Sequence, residues 1–486
     1  MSENTPQIRV KSGIPWYIWF LLILVGGGVL AATVVSLTPV DPEQTYQDAM
    51  AAYDVKDAKA FKALLATLKT QEGYESHVQL LEALDLLGNS RPLKAVPVFA
   101  EAAKNESIRT LALSYQAQAM ARGDQRKEAI GVLRQAIQND PDDKMPHGIL
   151  GGILYEIGAY TEALQELAVT TEHGTDKEAA SAHNLRGNML LELGRGEEAA
   201  ADFEAALSRD PRNVANGYIA LRMLQSLNQA GQFSKTLEMI DAADQSAKKE
   251  AIRAEALLET GDVTAALKVI EDTNMAEARD SSTIEIEAKI LASGKVDQSE
   301  VEIKLPKLRE SMIRMSRNAR YFGYMAEALK LTGHEEEANL YLQNHEQLVD
   351  REKQYHELRD QVIDTVEDVE SRLNLGRLAA ACGHFEESQF WLTTAKRIEP
   401  ERTGEVARLQ NELLRLLPEL VSLGSFRVLP ENVSSTPPTD IPPIDPTKID
   451  TDPEKHRDTK KATDQTNSDT GAAASDSPAD PSTKKE

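Results

Sequence analysis

Residues 184–211 read NLRGNMLLELGRGEEAAADFEAALSRDP, with three glycines and a run of alanines set among leucines at helical spacing. Counted from Ala180 as position one, Gly187, Gly194, Ala199, Phe203, Ala206 and Pro211 fall at positions 8, 15, 20, 24, 27 and 32 of a unit of about 34 residues. Gly187 and Ala199 lie where two successive helices cross, so a bulky side chain at either would hold them apart. Gly194 sits at the end of the first helix, where a left-handed residue is usually needed. Pro211 stops the second helix and starts the next unit. The pattern predicts a helix–turn–helix whose small residues permit close packing.

One such unit cannot bury its apolar face alone, so copies are expected nearby. A unit at 110–143 carries Ala117, Ala129, Leu133, Ala136 and Pro141 at the same offsets. The next, at 144–177, carries Leu150, Gly151, Leu154, Gly158, Ala163 and Leu167, and 180–213 follows after two extra residues. Weaker copies centre on Gly231 and on Gly261 with Ala266. Farther on, Phe322, Ala326, Leu329, Gly333, Ala338 and Leu342 repeat the pattern. The copy at 369–402 carries Leu375, Gly376, Gly383, Phe385, Leu392, Ala395 and Pro400.

These residues resemble the tetratricopeptide repeat (TPR) family, whose units follow W-x2-L-G-x2-Y, then A-x3-F, A and P. The resemblance covers most of 110–402 and lies in the aggregate, because no copy is complete. The tryptophan position holds His147, His183 or Ala220, and Arg186 replaces the expected leucine. The implied fold is all-α: a right-handed α-solenoid of degenerate repeats. Composition agrees, with 486 residues, 41% hydrophobic and only 5% aromatic, and little strand-like alternation.

Working outward, 41–104 reads as two further helical pairs, broken near Asp57 and at Gly88-Asn89, with Pro92 and Pro97 disturbing the second. Repeats are expected over 110–272, an irregular pair around Pro306 over 280–318, and repeats again over 319–402. Tyr341, Leu348, Tyr355, Val362 and Val369 recur every seven residues. That spacing fits either a long helix with a coiled-coil seam or lengthened repeat helices packing internally. A capping helix is expected within 403–426.

The ends differ. Residues 14–38 (IPWYIWFLLILVGGGVLAATVVSLT) lie within an uncharged run long enough for a membrane helix, which needs ~20 apolar residues. Trp16, Tyr17 and Trp19 cluster at one end, as at a membrane interface. A cleavable signal peptide competes with an uncleaved anchor, but its apolar core is typically shorter, at ~7–15 residues. Arg9 and Lys11 precede the span, while Asp41, Glu43, Asp48 and Asp54 follow it. That asymmetry leaves residues 1–13 cytoplasmic and the repeats across the membrane, in a bacterium the periplasm. Small residues spaced 27/31 and 28/32 offer a face for homodimerisation. Residues 427–486, rich in Pro, Asp, Thr, Ser and Lys, lack the apolar content to offset ordering entropy and are expected to be disordered.

No phosphate-binding loop, nucleophile elbow, zinc motif or paired cysteine occurs, so neither enzyme, cofactor nor metal is expected. His334, His345 and His356 are eleven apart, a rise of ~16 Å per step that prevents a shared metal and suggests solvated histidines. The net charge of −24 argues against nucleic acid. Arg309 and the three-spaced Arg314, Arg317 and Arg320 read as a basic stripe on a helix, suited to an acidic peptide or balanced by nearby glutamates.

The TPR resemblance implies a concave groove lined by positions 2, 5, 9, 12 and 13 of each first helix, and a protein or peptide as partner. Carried onto this sequence, those positions give Ser181, Asn184, Asn188, Leu191 and Glu192, preceded by Tyr155 and Glu156 and followed by Tyr218, Gln225 and Gln229. No lysine stands at 148, 184 or 221, so a carboxylate clamp is not evident. The expectation is a membrane-anchored scaffold in envelope assembly or secretion. A non-catalytic accessory subunit of a membrane enzyme or cytochrome c maturation complex, and a cytosol-facing receptor, are the alternatives.

Overall fold

A computed structural model describes residues 41–416 except 214, 277–279 and 313. The segments at 14–38 and 427–486, with Trp16, Tyr17 and Trp19, lie outside the described residues. Among the described residues every regular element is helical, and no helix is long and apolar enough to cross a membrane. The chain divides into two units, one running to Leu150 and the other starting at Gly151.

The first unit contains α1 (Pro42–Asp54), α2 (Ala58–Leu68), α3 (Glu75–Gly88), α4 (Pro92–Ala102), α5 (Arg109–Arg122) and α6 (Arg126–Asn139), with the boundary inside α7 (Lys144–Glu156). Short polar residues start several helices: Asp41 accepts from Glu43 N at 3.0 Å, and Asp57 from Ala60 N at 3.0 Å. Pro92 occupies the first turn of α4, where no partner for its nitrogen is needed, and Pro97 lies inside that helix without ending it. The turn between paired helices needs a left-handed residue. Lys56, Ser90 and Asp124 fill it at φ 59°, 58° and 62°, each 34 residues after the last. This unit therefore keeps the strict repeat period without the glycine that marks it elsewhere. One core, running from Tyr46 through Leu84 and Phe99 to Ala136, joins all six helices.

The second unit continues from the end of α7 with α8 (Tyr160–His173), α9 (Asp176–Glu192), α10 (Gly196–Arg209), α11 (Asn216–Gln229), α12 (Phe233–Met239), α13 (Ala247–Thr260) and α14 (Val263–Ala276). After these come α15 (Ser281–Ala292), α16 (Gln298–Glu310), α17 (Ala319–Leu331), α18 (Glu335–Val362), α19 (Val369–Ala381), α20 (Phe385–Ile398) and α21 (Thr403–Leu416). Here glycines take the turn: Gly158, Gly194, Gly231, Gly261, Gly294, Gly333 and Gly383 all have positive φ. The crossing glycines do what their spacing predicts. A Cβ at Gly151 would lie 2.5 Å from Leu167, one at Gly187 2.8 Å from Phe203, and one at Gly376 2.6 Å from Leu392.

Neighbouring repeats place equivalent positions side by side, so opposite charges one repeat apart meet. Lys235 bonds Glu204 at 2.9 Å, His334 bonds Glu302 at 3.1 Å, and Arg402 meets Glu370 at 2.5 Å; Lys304 pairs with Glu271 in the same way. His334 is thus engaged, and His345 Nδ1 lies 2.9 Å from the Ala319 carbonyl, whereas His356 is exposed.

Two expectations take definite form. The segment around Pro306 is a helical pair, α15 and α16, with Pro306 inside α16 and Gly294 in the turn, and it is irregular in that α15 packs more closely on α17 than on its own partner α16. The heptad residues Tyr341, Leu348, Tyr355 and Val362 fall on the 28-residue α18, and all are buried within the chain's own core. Internal packing therefore uses the face that a coiled-coil seam requires.

Candidate functional site

The first helices of successive pairs, α9, α11, α13, α15 and α17, pack in a row through the second unit. Their facing side chains form a polar ladder. Asn188 donates to the Asn184 carbonyl at 3.0 Å and accepts from Arg222 Nε at 3.0 Å. Arg222 reaches Gln225 at 3.5 Å, and Gln229 Nε2 donates to the Leu191 carbonyl at 3.4 Å. One repeat on, Lys289 lies 2.8 Å from both Glu255 and Glu259. Burial opposes the Lys289 charge, but Glu255 and Glu259 outweigh it and hold its ammonium above the ordinary range. At α17, Arg320 meets Glu285 at 3.6 Å, and Asn318 donates to the same carboxylate at 2.7 Å.

Tyr218 stands out on this row, 56% exposed despite its size. Ser181 is also exposed, and the buried Asn184 Oδ1 accepts no hydrogen bond. The exposed ring and the Ser181 hydroxyl lie on the same row as the Asn188–Arg222 pair and give it an aromatic and a polar contact surface. Arg222, Glu255 and Lys289 belong to it although the family positions did not select them; their signal was a polar residue about every 34 positions.

Other predicted residues adjoin that surface, close enough for Arg222 to act on Glu192 and for Tyr218 to act on Tyr155, but are covered. Tyr155, Glu156 and Glu192 lie where the last repeats return onto the start of the unit. The Tyr155 ring lies 5.9 Å from that of Tyr160 and 6.1 Å from that of Phe390. Tyr160 is fully buried, 6.0 Å from Trp391, and its hydroxyl donates to Glu192 at 2.5 Å. Three arginines cross the seam to helix-end carbonyls. Arg397 donates to Glu156 O at 2.9 Å, Arg372 to Ile157 O at 2.9 Å, and Arg359 to Glu192 O at 2.8 Å. Positive groups belong at helix C-termini, where the last carbonyls lack partners.

Arg372 is 0% exposed and also donates to Asp368 O at 2.7 Å and Thr365 O at 2.5 Å. Burial depresses its guanidinium to about 10. Burial likewise raises Glu192 to about 7, against the favourable pull of the Tyr160 hydroxyl, Arg222 and Arg359. The Tyr155 hydroxyl is pushed up to about 12, again chiefly by burial.

The arginine stripe is corrected. Arg314 and Arg317 occupy turns between α16 and α17, and only Arg320 is helical. Asn318 accepts from Tyr321 N at 2.8 Å and starts a new helix there, so a three-residue spacing no longer means one face. Arg309 is locked bidentately onto Glu337 at 2.8 and 2.6 Å.

Comparison with known proteins agrees with the repeat geometry. Tetratricopeptide repeat models match residues 80–144, 116–172 and 180–213, so the chain carries TPR repeats, the first reaching into the N-terminal helical pairs. No curated protein shows significant sequence similarity to it. Among solved structures, one described as the functional characterisation of Pseudomonas aeruginosa PilF is 18% identical, covering 44% of this chain and 97% of that one, with a TM-score of 0.35. A tetratricopeptide repeat protein from Parabacteroides merdae is 14% identical over 56% of this chain and 99% of its own, with a TM-score of 0.33. The TPR domain of P58(IPK) is 13% identical over 73% and 100%, with a TM-score of 0.22. A TPR-repeat protein is typically a scaffold that binds other proteins.

Proposed function

We propose that this chain is a membrane-anchored TPR scaffold that holds one protein partner on the first-helix row of its second unit, outside the cytoplasm, in envelope assembly or secretion. The observation that carries the binding surface is Tyr218, a large ring left exposed one helical turn before Arg222, whose guanidinium bonds the Asn188 amide. An interface anchor typically combines such an aromatic with an adjacent arginine. The anchor and its orientation rest on the uncharged 14–38 run and its flanking charges. Binding rather than chemistry is the activity we infer, supported by the TPR repeats, which typically serve in protein-binding scaffolds.

A photoreactive amino acid at Tyr218, activated in intact cells, tests the surface against the same probe at Val55, which is 75% exposed in the first unit. One stoichiometric partner captured from 218 and not from 55, and lost on Arg222→Glu, supports the reading. Equal capture from both positions overturns it. A compartment-sensitive reporter fused after residue 430 tests the topology: a cytoplasmic signal overturns the extracytoplasmic assignment.

A further inference from the structure

The first unit separates its charge by helix. The second helices of its pairs, α2, α4 and α6, carry six Lys or Arg and two Asp or Glu, whereas the first helices, α1, α3 and α5, carry two and six. In a chain of net charge −24 a basic set of helices is the exception. One face of that set has no carboxylate at all. Lys59, Leu93 and Lys127 stand 34 residues apart and are all exposed. One turn along, Ala63, Pro97 and Gly131 are exposed in the same register, and a turn beyond them so are Ala66, Ala100 and Arg134. Residues three and four apart share a helix face, and equivalent positions of successive repeats lie side by side, so these positions form one patch. It combines cations with aliphatic and small residues. Leu93, 54% exposed, lies against Gly123 in the next turn, and the flanking Glu101 is bonded to Lys104 at 2.6 Å. A helix face that meets only water ordinarily carries polar groups and both signs of charge.

We propose that this patch on α2, α4 and α6 docks on the anionic lipid surface beside the anchor and holds the first unit flat against the bilayer. The docking rests on the anchor of the proposed function; the patch itself does not.

Chain length and charge both point to lipid as the occupant. The helix α1 starts at Pro42, four residues after the uncharged 14–38 run, and a linker of that length spans at most ~14 Å. Packed helices lie ~10 Å apart, so the linker lets α2, α4 and α6 rest on the surface with α1 one layer above them. An anionic surface attracts the second-helix face and repels the first-helix face, with its Glu43, Asp48 and Asp54, so the sign of charge fixes which way the unit lies. The lysine and arginine stems lie along the aliphatic residues while their charged ends reach the lipid phosphates. Leu93 enters the boundary between headgroups and acyl chains.

The full chain in lipid discs tests this with a quencher attached to the lipid headgroups. A fluorophore on Ala100→Cys, within the patch, is compared with one on Gln47→Cys, exposed on α1. Cys382 is buried with its thiol raised to about 12, so the label goes to the introduced cysteine. In discs containing phosphatidylglycerol, quenching at 100 is expected to exceed that at 47 several-fold. The excess is lost in neutral phosphatidylcholine, and in about 1 M salt, where charges are screened beyond ~3 Å. It is also lost when Lys59→Glu, Lys62→Glu and Lys94→Glu are combined, all at exposed positions, and Leu93→Ser lowers it in part. Equal quenching at the two positions, or an excess indifferent to lipid charge, overturns the docking. A photoreactive residue at Ala100 that marks a protein instead of lipid in intact cells overturns it in favour of a protein partner. A chain that does not enter the discs overturns the anchor and this inference with it, whereas a chain that inserts and leaves the patch unquenched overturns this inference alone. Capture at Tyr218 concerns the other unit and is a separate result.

Discussion

The two units are built from one repeat and differ in what they do with it. The first keeps a 34-residue period so strictly that Lys56, Ser90 and Asp124 take a left-handed turn despite their side chains, and its contacts join neighbours into a single core. The second spends glycine at every such turn, varies its spacing, and carries a 28-residue helix. It brings residues 167, 215 and 241 positions apart into hydrogen bonds. Regular repeats propagate; irregular ones turn the chain back on itself. The difference teaches that closure here comes from departures from the repeat rather than from the repeat.

Arg372→Ala breaks the comparison most severely. It leaves the carbonyls of Ile157, Thr365 and Asp368 without a donor and opens a cavity, lowering the stability of the second unit by about 3 kcal/mol or more. Segment-resolved hydrogen exchange checks this: protection falls across 151–416 and stays unchanged across 42–139. Uniform loss in both segments means the units do not unfold separately.

Gly187→Val comes next, because its Cβ meets the Phe203 ring at 2.8 Å, and overpacking of that kind costs about 1–3 kcal/mol. Phe203→Leu in the same chain is expected to restore part of the loss, read as a recovered denaturation midpoint. No recovery means that the glycine serves something other than the ring.

Ser90→Gly runs the other way. Relieving a left-handed serine at φ 58° stabilises the first unit by about 0.5–1 kcal/mol, while the opposite change, Gly194→Ala at φ 78°, destabilises the second by about 1 kcal/mol. Opposite signs in the two exchange profiles sharpen the comparison; the same sign removes it.

The smallest effect on stability belongs to Tyr218→Ala, within about 0.5 kcal/mol because the ring is exposed. Yet the same change is expected to weaken partner binding at least tenfold, measured with the partner captured in the proposed cross-linking. Unchanged affinity moves the binding surface off this row.

Much of this was written locally. Gly187 against Phe203 and Gly151 against Leu167 are sixteen residues apart, so their encounter follows from two helices and one turn, and spacing alone exposes it. The N-terminal repeats were harder to see because their turn residues are Lys56, Ser90 and Asp124, and a search anchored on glycine passes over them; the even interval was the remaining signal. The arginine spacing misled for a similar reason, since Asn318 resets the helix between Arg317 and Arg320.

The sequence by itself determined the repeat, its turns and its crossing points, because those depend on backbone sterics and helix pitch within about 34 residues. Only the tertiary structure decided that Tyr155 and Glu192 are covered by the returning repeats while the neighbouring Tyr218 keeps an exposed ring. The physical reason is accumulation: each repeat adds a small rotation, each insertion alters it, and where Arg359, Arg372 and Arg397 arrive is the sum of all of them.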